Sequence, residues 1–194
     1  RTGHEQEPLA RQPVEERTGP VVRPPATIVD LPSATPQGDP SVVDIAAQSG
    51  LRSIVNADRQ FDVGLFVEGA KSAYGIVLDA FWKGDREALR FLCDDDVYES
   101  FDAAIKGREE RGETLENRLV RIESVRVLDA NYDHPMARIT VQFDADIAAL
   151  VKDADGNVIG GSMSDAVETH DIWTFMRDVK SGDRNWKLDE TDEV

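Results

Sequence analysis

Residues 61–112 read FDVGLFVEGAKSAYGIVLDAFWKGDREALRFLCDDDVYESFDAAIKGREERG, and their pattern predicts three consecutive helices. In the first helix, apolar residues recur at steps of three and four, which puts them on one face that must be buried. Asp62 precedes this pattern as an N-cap, and Phe61 can pack against Phe66 in the first turns. The predicted buried face consists of Val63, Phe66, Val67, Ala70, Tyr74, Val77, Leu78 and Phe81.

Glycine and aspartate mark the limits of these helices. Gly84 ends the first helix, Asp85 caps the second, and Gly112 ends the third. The run from Asp94 to Asp96 opens the third helix, where carboxylates meet unpaired N–H groups and the positive end of the helix dipole. We therefore interpret these three carboxylates as a cap and first turn rather than as a metal site.

The residues after Gly112 change from helical to alternating periodicity, which predicts β-strands. The apolar phase slips between Glu123 and Ser124, and a β-bulge, which bends a sheet, explains such a slip. Residues 131–135 predict a turn, and the strand after it alternates with one apolar face. That face consists of Ile139, Val141, Phe143, Ala145, Ile147 and Ala149.

Two further strands complete the predicted sheet. Residues 155–157, Asp-Gly-Asn, are typical of a hairpin turn, and a third strand is predicted from Val167 to Val179. A short last strand covers Asn185 to Leu188. This order predicts an α+β domain, with N-terminal helices packed on a curved antiparallel sheet of about four strands. The large side chains expected to be mostly buried are Phe81, Phe101, Trp173, Phe175 and Trp186.

The chain before this domain has a different composition. Residues 1–40 hold eight of the nine prolines and no periodic apolar pattern, which predicts a disordered, proline-rich linker. A ligand for a proline-recognition domain is the alternative, supplied by Val22 to Pro25. Residues 41–60 predict an amphipathic entry helix broken by Gly50, and residues 61–192 predict the main domain.

Charge and motif content exclude several classes of function. A net charge of −16 argues against nucleic-acid binding, because phosphate attracts clustered Lys and Arg. Aligning Gly156 with the sixth position of an EF-hand loop puts Val151 first and Ser162 last, so we expect no calcium. No histidine or cysteine pair has zinc-ligand spacing, and no glycine-rich loop opens a helix after a strand. We therefore expect no metal, no cofactor and no catalytic residue.

A bent sheet cannot pack flat against three helices along its whole length, which predicts a pocket between the two layers. Asp171 alternates with Trp173 and is the polar exception in a lining otherwise apolar or aromatic; a buried, hydrogen-bonded aspartate is the structural alternative. Such a pocket suits an apolar peptide segment or a lipid chain. The expected pocket residues are Tyr74, Leu78, Tyr98, Ile139, Val141, Phe143, Asp171 and Trp173.

Four runs in the chain together resemble one known family. They are FVEGAKSAYGIVLDAFWKGDREALRFL, DDDVYESFDAAIKGREERGE, DIWTFMRDV and NWKL, in that order. The chain resembles, over residues 42–190, the C-terminal domain of the mitochondrial inner-membrane translocase subunit Tim44 and its bacterial relatives. The opening Arg1 to Glu5 is similar to the stretch that follows an N-terminal anchor helix in the bacterial relatives.

The resemblance implies a nuclear-transport-factor-two-like cone, whose helices pack into a curved sheet around an apolar pocket. It also implies an anchor ahead of Arg1 and residence at a bacterial inner membrane, with the domain on the cytoplasmic side. The implied function is a non-enzymatic scaffold that handles polypeptide or tethers protein-transport or chaperone machinery. Its implied partners are polypeptides or membrane proteins.

Two other functions remain open at this point. One is a small-molecule enzyme, because the same cone-shaped fold hosts isomerases, dehydratases and hydrolases. An enzyme would need a carboxylate, histidine or tyrosine pair with perturbed pKa values at the pocket floor, whereas a binding domain needs mainly apolar lining. The other is a homo-oligomeric structural subunit that associates through the outer face of the sheet.

Overall fold

The computed structural model describes residues 42–193, which form four helices and four strands. The helices are α1 (Ile45–Ala57), α2 (Val63–Lys83), α3 (Arg86–Leu92) and α4 (Asp95–Glu110). The strands are β1 (Thr114–Asp133), β2 (Met136–Lys152), β3 (Val158–Asp178) and β4 (Lys187–Glu193). The linker expected at residues 1–40 lies outside the described residues.

The strands form one antiparallel sheet in the order β1-β2-β3-β4, and the helices pack on it. The predicted α+β class, with N-terminal helices on a curved four-stranded sheet, is therefore confirmed. The pairing of β1 with β2 shifts between Ile122 and Ser124, where the sequence predicted a bulge. Two further shifts, between Leu119 and Arg121 and between Val127 and Asp129, were not predicted.

The helix limits follow the predicted caps. The side chain of Asp62 accepts a hydrogen bond from the N–H of Leu65 at 2.8 Å, and Asp85 and Asp94 cap α3 and α4 in the same way. Gly84 ends α2 with φ at 73°, a left-handed conformation that favours glycine. Local hydrogen bonding thus explains why these helices begin and end where they do.

The sequence was wrong about Gly50, which does not break α1. Helix α1 runs through Gly50 because it packs on β1, with Ala47, Leu51 and Ile54 buried. A Cβ on Gly50 would lie 1.7 Å from the carbonyl oxygen of Ala130, so the glycine permits a close approach of helix and strand.

The last two strands also differ from the prediction. Strand β3 begins at Val158 rather than Val167, and β4 extends to Glu193 rather than ending at Leu188. The pairing of β2 with β3 shifts between Ile147 and Ala149, so that Ala148 is buried in place of these two neighbours. The alternation read along β2 therefore holds from Ile139 to Ala145 and fails beyond it.

The core lies between the helices and the inner face of the sheet. Trp173 and Phe175 are buried there, as expected. Phe81, Phe101 and Trp186 pack against this core and are mostly buried, as expected, although each also lines a concave part of the surface. These concavities position the candidate site.

Candidate functional site

Two of the concavities in the described part of the chain lie along α2. We call the first the helix groove; it has a volume of about 400 Å³ and lies between α2, α3 and the residues around Trp186. We call the second the sheet cavity; it has a volume of about 560 Å³ and lies between the C-terminal end of α2, α4 and all four strands. Both volumes fall in the range typical of ligand sites, roughly 300–1,000 Å³.

The helix groove has an apolar floor and an apolar rim. Trp186 lies against Phe66, with ring centroids 4.9 Å apart, and forms part of the floor. Leu65, Ile76 and Phe91 lie along the groove and are exposed by 75%, 53% and 65%. A single exposed leucine is ordinary, but three large apolar side chains around one groove indicate a surface that binds something.

The polar end of the helix groove is built on two arginines. Arg177 is buried and donates from Nη1 to Asp58 at 2.8 Å, while the exposed Arg184 donates to Gln60 at 2.5 Å. Partial burial alone would raise the pKa of Asp58, but the N–H of Gln60 and the guanidinium of Arg177 outweigh it and lower the pKa. Asp58 therefore stays a carboxylate and fixes this end of the groove.

The sheet cavity is lined by aromatic and polar side chains. Its lining residues are Leu78, Phe81, Trp82, Phe101, Asn117, Ile147, Thr169, Asp171, Trp173, Thr191 and Asp192. Asp171 accepts a hydrogen bond of 2.5 Å from the hydroxyl of Tyr74, which is itself fully enclosed and stacks on Phe143 with centroids 4.4 Å apart. Burial, and then the bond to Asp171, raise the pKa of Tyr74, so the phenol stays protonated and acts as a donor.

The structure brings three of the eight expected pocket residues, Leu78, Asp171 and Trp173, to the wall of the sheet cavity. The other four inward-facing residues, Tyr74, Ile139, Val141 and Phe143, are fully enclosed behind that wall. Tyr98 lies apart from them on α4, where the guanidinium of Arg90 stacks 3.9 Å from its ring centre.

The sequence did not point to the helix groove. Its exposed residues Leu65 and Ile76 fall outside the apolar stripe that predicted the buried face of α2, and the exposed Phe91 lies on α3. The signal that could have predicted the helix groove was the presence of apolar residues on the polar side of a helix. The rings of Phe81, Trp82 and Phe101 in the sheet cavity were missed as lining because their exposure depends on where α4 crosses the end of α2.

A serine, a histidine and an aspartate meet on the sheet but do not form a nucleophilic relay. Asp144 accepts hydrogen bonds from Ser124, from Gln142 at 2.9 Å and from His170 at 2.7 Å. Serine and histidine both bind the carboxylate instead of each other, so the histidine cannot take a proton from the serine. This cluster therefore stabilises the sheet surface.

Within residues 42–193, no group of three or more His, Cys, Asp or Glu side chains is placed to hold a metal ion. In the same part of the chain, no helix has the length and apolarity needed to cross a membrane.

Comparisons with known proteins show which family the chain is similar to. The family model described as the Tim44-like domain matches residues 47–193. Among curated proteins, none matches the chain. The crystal structure of the intermembrane space region of chloroplast protein ARC6 is similar at 15% identity and a TM-score of 0.41, covering 74% of this chain and 95% of that one. Because the family model spans well over half of its residues, the chain belongs to the Tim44-like domain family.

Proposed function

We propose that this domain is a non-enzymatic scaffold at a bacterial inner membrane that binds an apolar polypeptide segment in its helix groove. Tim44-like domains bind proteins and membranes and are related to protein transport. The domain would face the cytoplasm, with residues 1–40 as a spacer to an anchor ahead of Arg1. Polypeptides or membrane proteins of the transport or chaperone machinery are the proposed partners.

The observation that carries the proposal is the exposure of Leu65, Ile76 and Phe91 around one groove. These side chains lie on two helices, and the space between them is floored by Phe66 and Trp186. An amphipathic helix of a partner can lay its apolar face into such a groove and remove both surfaces from water. Burial of this kind is non-directional, so the groove would accept varied apolar segments.

The groove also has a fixed polar end, which would orient a bound segment. Arg184 is exposed by 54% at its side chain and lies 3.5 Å from Asp58, beside the buried pair of Arg177 and Asp58. The last carbonyl groups of a helix have no partners within that helix. We expect Arg184 to donate to these carbonyls, so that the partner's carboxyl end lies at this end of the groove.

Tyr74 and Asp171 are the pair that an enzymatic alternative would use. Tyr74 is fully enclosed, and its raised pKa keeps the phenol protonated at neutral pH. A catalytic acid or base must reach the substrate and have a pKa near the working pH. We therefore assign to Tyr74 the role of holding the Asp171 carboxylate in place rather than a catalytic role. This assignment supports a binding role for the domain. Tim44-like domains are generally non-enzymatic.

The test is a titration of the domain with a synthetic amphipathic peptide, followed by the ¹⁵N–¹H signals of the tryptophan indoles. Trp186 lines the helix groove, whereas Trp82 and Trp173 line the sheet cavity. We expect the Trp186 signal to shift as peptide is added and the other two to stay in place. Substitution of each tryptophan by phenylalanine assigns the three signals.

A matched pair of variants makes the test specific. Ile76→Ser removes an apolar side chain from the groove, and Ile159→Ser removes one of nearly equal exposure, 55% against 53%, from β3. We expect peptide affinity to fall at least about tenfold in Ile76→Ser and to stay unchanged in Ile159→Ser. Equal affinities for the two variants, or a peptide that leaves Trp186 unshifted, would contradict the proposal.

A further inference from the structure

The sheet cavity differs from the helix groove in its chemistry. Four aromatic side chains line it: Phe81, Trp82, Phe101 and Trp173. Phe81 and Phe101 lie beside each other, with ring centroids 5.0 Å apart, and contribute from α2 and α4. Trp173 contributes from β3, so the rings come from both layers of the domain. Faces of aromatic rings carry partial negative charge and attract cations.

Asp171 places a full negative charge among these rings. By the pairing of β3 with β4, Trp173 lies opposite Thr191, and both line the cavity together with Asp171. Asp192, on the edge strand β4, also lines the cavity. Of these two carboxylates, Asp171 is the one that the hydroxyl of Tyr74 holds in place.

The hydrogen bond from Tyr74 holds the Asp171 carboxylate without using all of its acceptor capacity. A carboxylate has about four lone-pair sites, and the 2.5 Å bond from Tyr74 occupies one oxygen, Oδ2. The enclosed tyrosine cannot rotate away, because it is stacked on Phe143 and packed against Trp173. The remaining sites of Asp171 are pre-oriented for another donor.

No counter-charge for Asp171 lies in the wall of the cavity. Among the described residues that line it, none has a lysine, arginine or histidine side chain. Arg108 approaches the Phe81 ring at 5.1 Å, but it is not part of the lining. Its Nη2 donates to the carbonyl groups of Phe81 and Trp82 at the end of α2. The cavity is therefore negative and aromatic.

We infer that the sheet cavity binds an organic cation through an alkylammonium group, with Asp171 accepting its N–H donors. The aromatic rings of Trp82, Phe101 and Trp173 surround the alkyl part and stabilise the positive charge. A volume of about 560 Å³ accommodates a small amine, or the side chain of a lysine from a longer molecule. The ammonium chemistry is the same for both sources.

The experiment compares butylammonium, butan-1-ol and butanoate as probes of the same chain length, again with the indole signals as the readout. We expect butylammonium to shift the signals of Trp82 and Trp173 and to leave Trp186 in place. We expect butan-1-ol to bind at least about tenfold more weakly and butanoate to cause no shift. Equal shifts with butan-1-ol would show an apolar cavity without cation preference and overturn the inference.

Two variants separate a specific site from general attraction to a chain of net charge −16. Asp171→Asn keeps an oxygen that can accept from Tyr74 but removes the charge from the cavity. Asp165→Asn removes the same charge from an exposed position on the same strand. We expect about tenfold weaker butylammonium binding in Asp171→Asn and no change in Asp165→Asn. Equal losses in both variants would overturn the inference.

A pair of peptides then identifies the source of the ammonium group. One peptide carries a single lysine and the other carries acetyl-lysine, which has no charge. Shifts of Trp82 and Trp173 with the lysine peptide alone assign the site to a polypeptide side chain; shifts with butylammonium alone assign it to a free amine. Because polypeptide binding in the helix groove is read from Trp186, failure of either proposal is visible separately.

Discussion

Phe143 shows what a single residue contributes to this domain. It is fully buried, stacks on Tyr74 and lies edge-on to Trp173 and Phe175. It thus joins the inner face of β2 to α2 and to β3. The cavity wall around Asp171 depends on it, because the ring of Tyr74 is held by this stack.

We predict that Phe143→Ala lowers the free energy of unfolding by about 3–5 kcal/mol, because it removes buried aromatic contacts and leaves a cavity. Phe91→Ala is the control: Phe91 is 65% exposed, so we expect a change within about 0.5 kcal/mol. Urea denaturation of the two variants measures both values. Similar losses for Phe91→Ala and Phe143→Ala would mean that the core has been misassigned.

The cluster on Asp144 predicts two pH effects. Hydrogen bonds from Ser124 first, and then from Gln142 and His170, lower the pKa of Asp144 to about 2, although burial opposes them. A lowered pKa stabilises the folded state above the ordinary value of 3.8, and this contribution is lost as the pH falls toward about 2. Acid denaturation of Asp144→Asn should lack this part of the pH dependence.

The contribution of His170 to the stability of the folded state changes with pH in the opposite direction. Its hydrogen bond to Asp144 raises the pKa of the imidazole above 6.5, so its contribution is present below that pH and is lost as the pH rises through the raised pKa. We expect an NMR titration to give a pKa above 6.5 for His170 and a return toward the ordinary value in Asp144→Asn. An unchanged pKa in the variant would show that the pair does not form in solution.

At the scale of the elements, the docking of α1 on β1 depends on Gly50. A methyl group there would lie 1.7 Å from the carbonyl oxygen of Ala130, a backbone atom that cannot rotate away. We predict that Gly50→Ala costs about 1–3 kcal/mol or more, because helix and strand must separate. Gly69→Ala in α2 meets nothing within 4 Å and should stabilise the domain by about 0.5–1 kcal/mol. Thermal unfolding distinguishes the two.

The sequence predicted those features of the elements that depend on near neighbours. The caps at Asp62, Asp85 and Asp94 and the buried stripe of α2 follow from residues three or four positions apart. The start of β3 at Val158 was missed, because its first residues contain two glycines and two serines and lack alternation. They form a strand because β2 pairs with them, and a local pattern does not contain that information.

The candidate site was predicted in part for the same reason. Leu78 was recognised by its place in the apolar stripe of its helix, and Asp171 and Trp173 by their places in the alternation of their strand. All three line the sheet cavity. Phase alone could not show that Ile139, Val141 and Phe143 are enclosed, because enclosure depends on how closely the helices approach the sheet. The helix groove could not be predicted without knowing that α3 lies beside α2, because this packing brings Phe91 close to Ile76 and Leu65.

We propose that the whole molecule is a binding domain carried on a spacer, residues 1–40. We predict that limited proteolysis removes residues 1–40 and leaves a resistant product that begins near Val42, because the main chain of Val42 and Asp44 bonds to Val127 of β1. Mass spectrometry of the product gives the cleavage sites. If residues 1–40 resist protease as well as the domain does, the spacer assignment is wrong.

In our proposal, the helix groove holds a polypeptide partner at the membrane. The most direct measurement is photo-crosslinking in native membranes, using the intact gene product with a photoreactive residue at Ile76 or, as the matched exposed control, at Ile159. We expect crosslinks to polypeptide from position 76 that are lost when Phe91→Ser is added, and none above background from position 159. Equal crosslinking from both positions, or none from position 76, would contradict it.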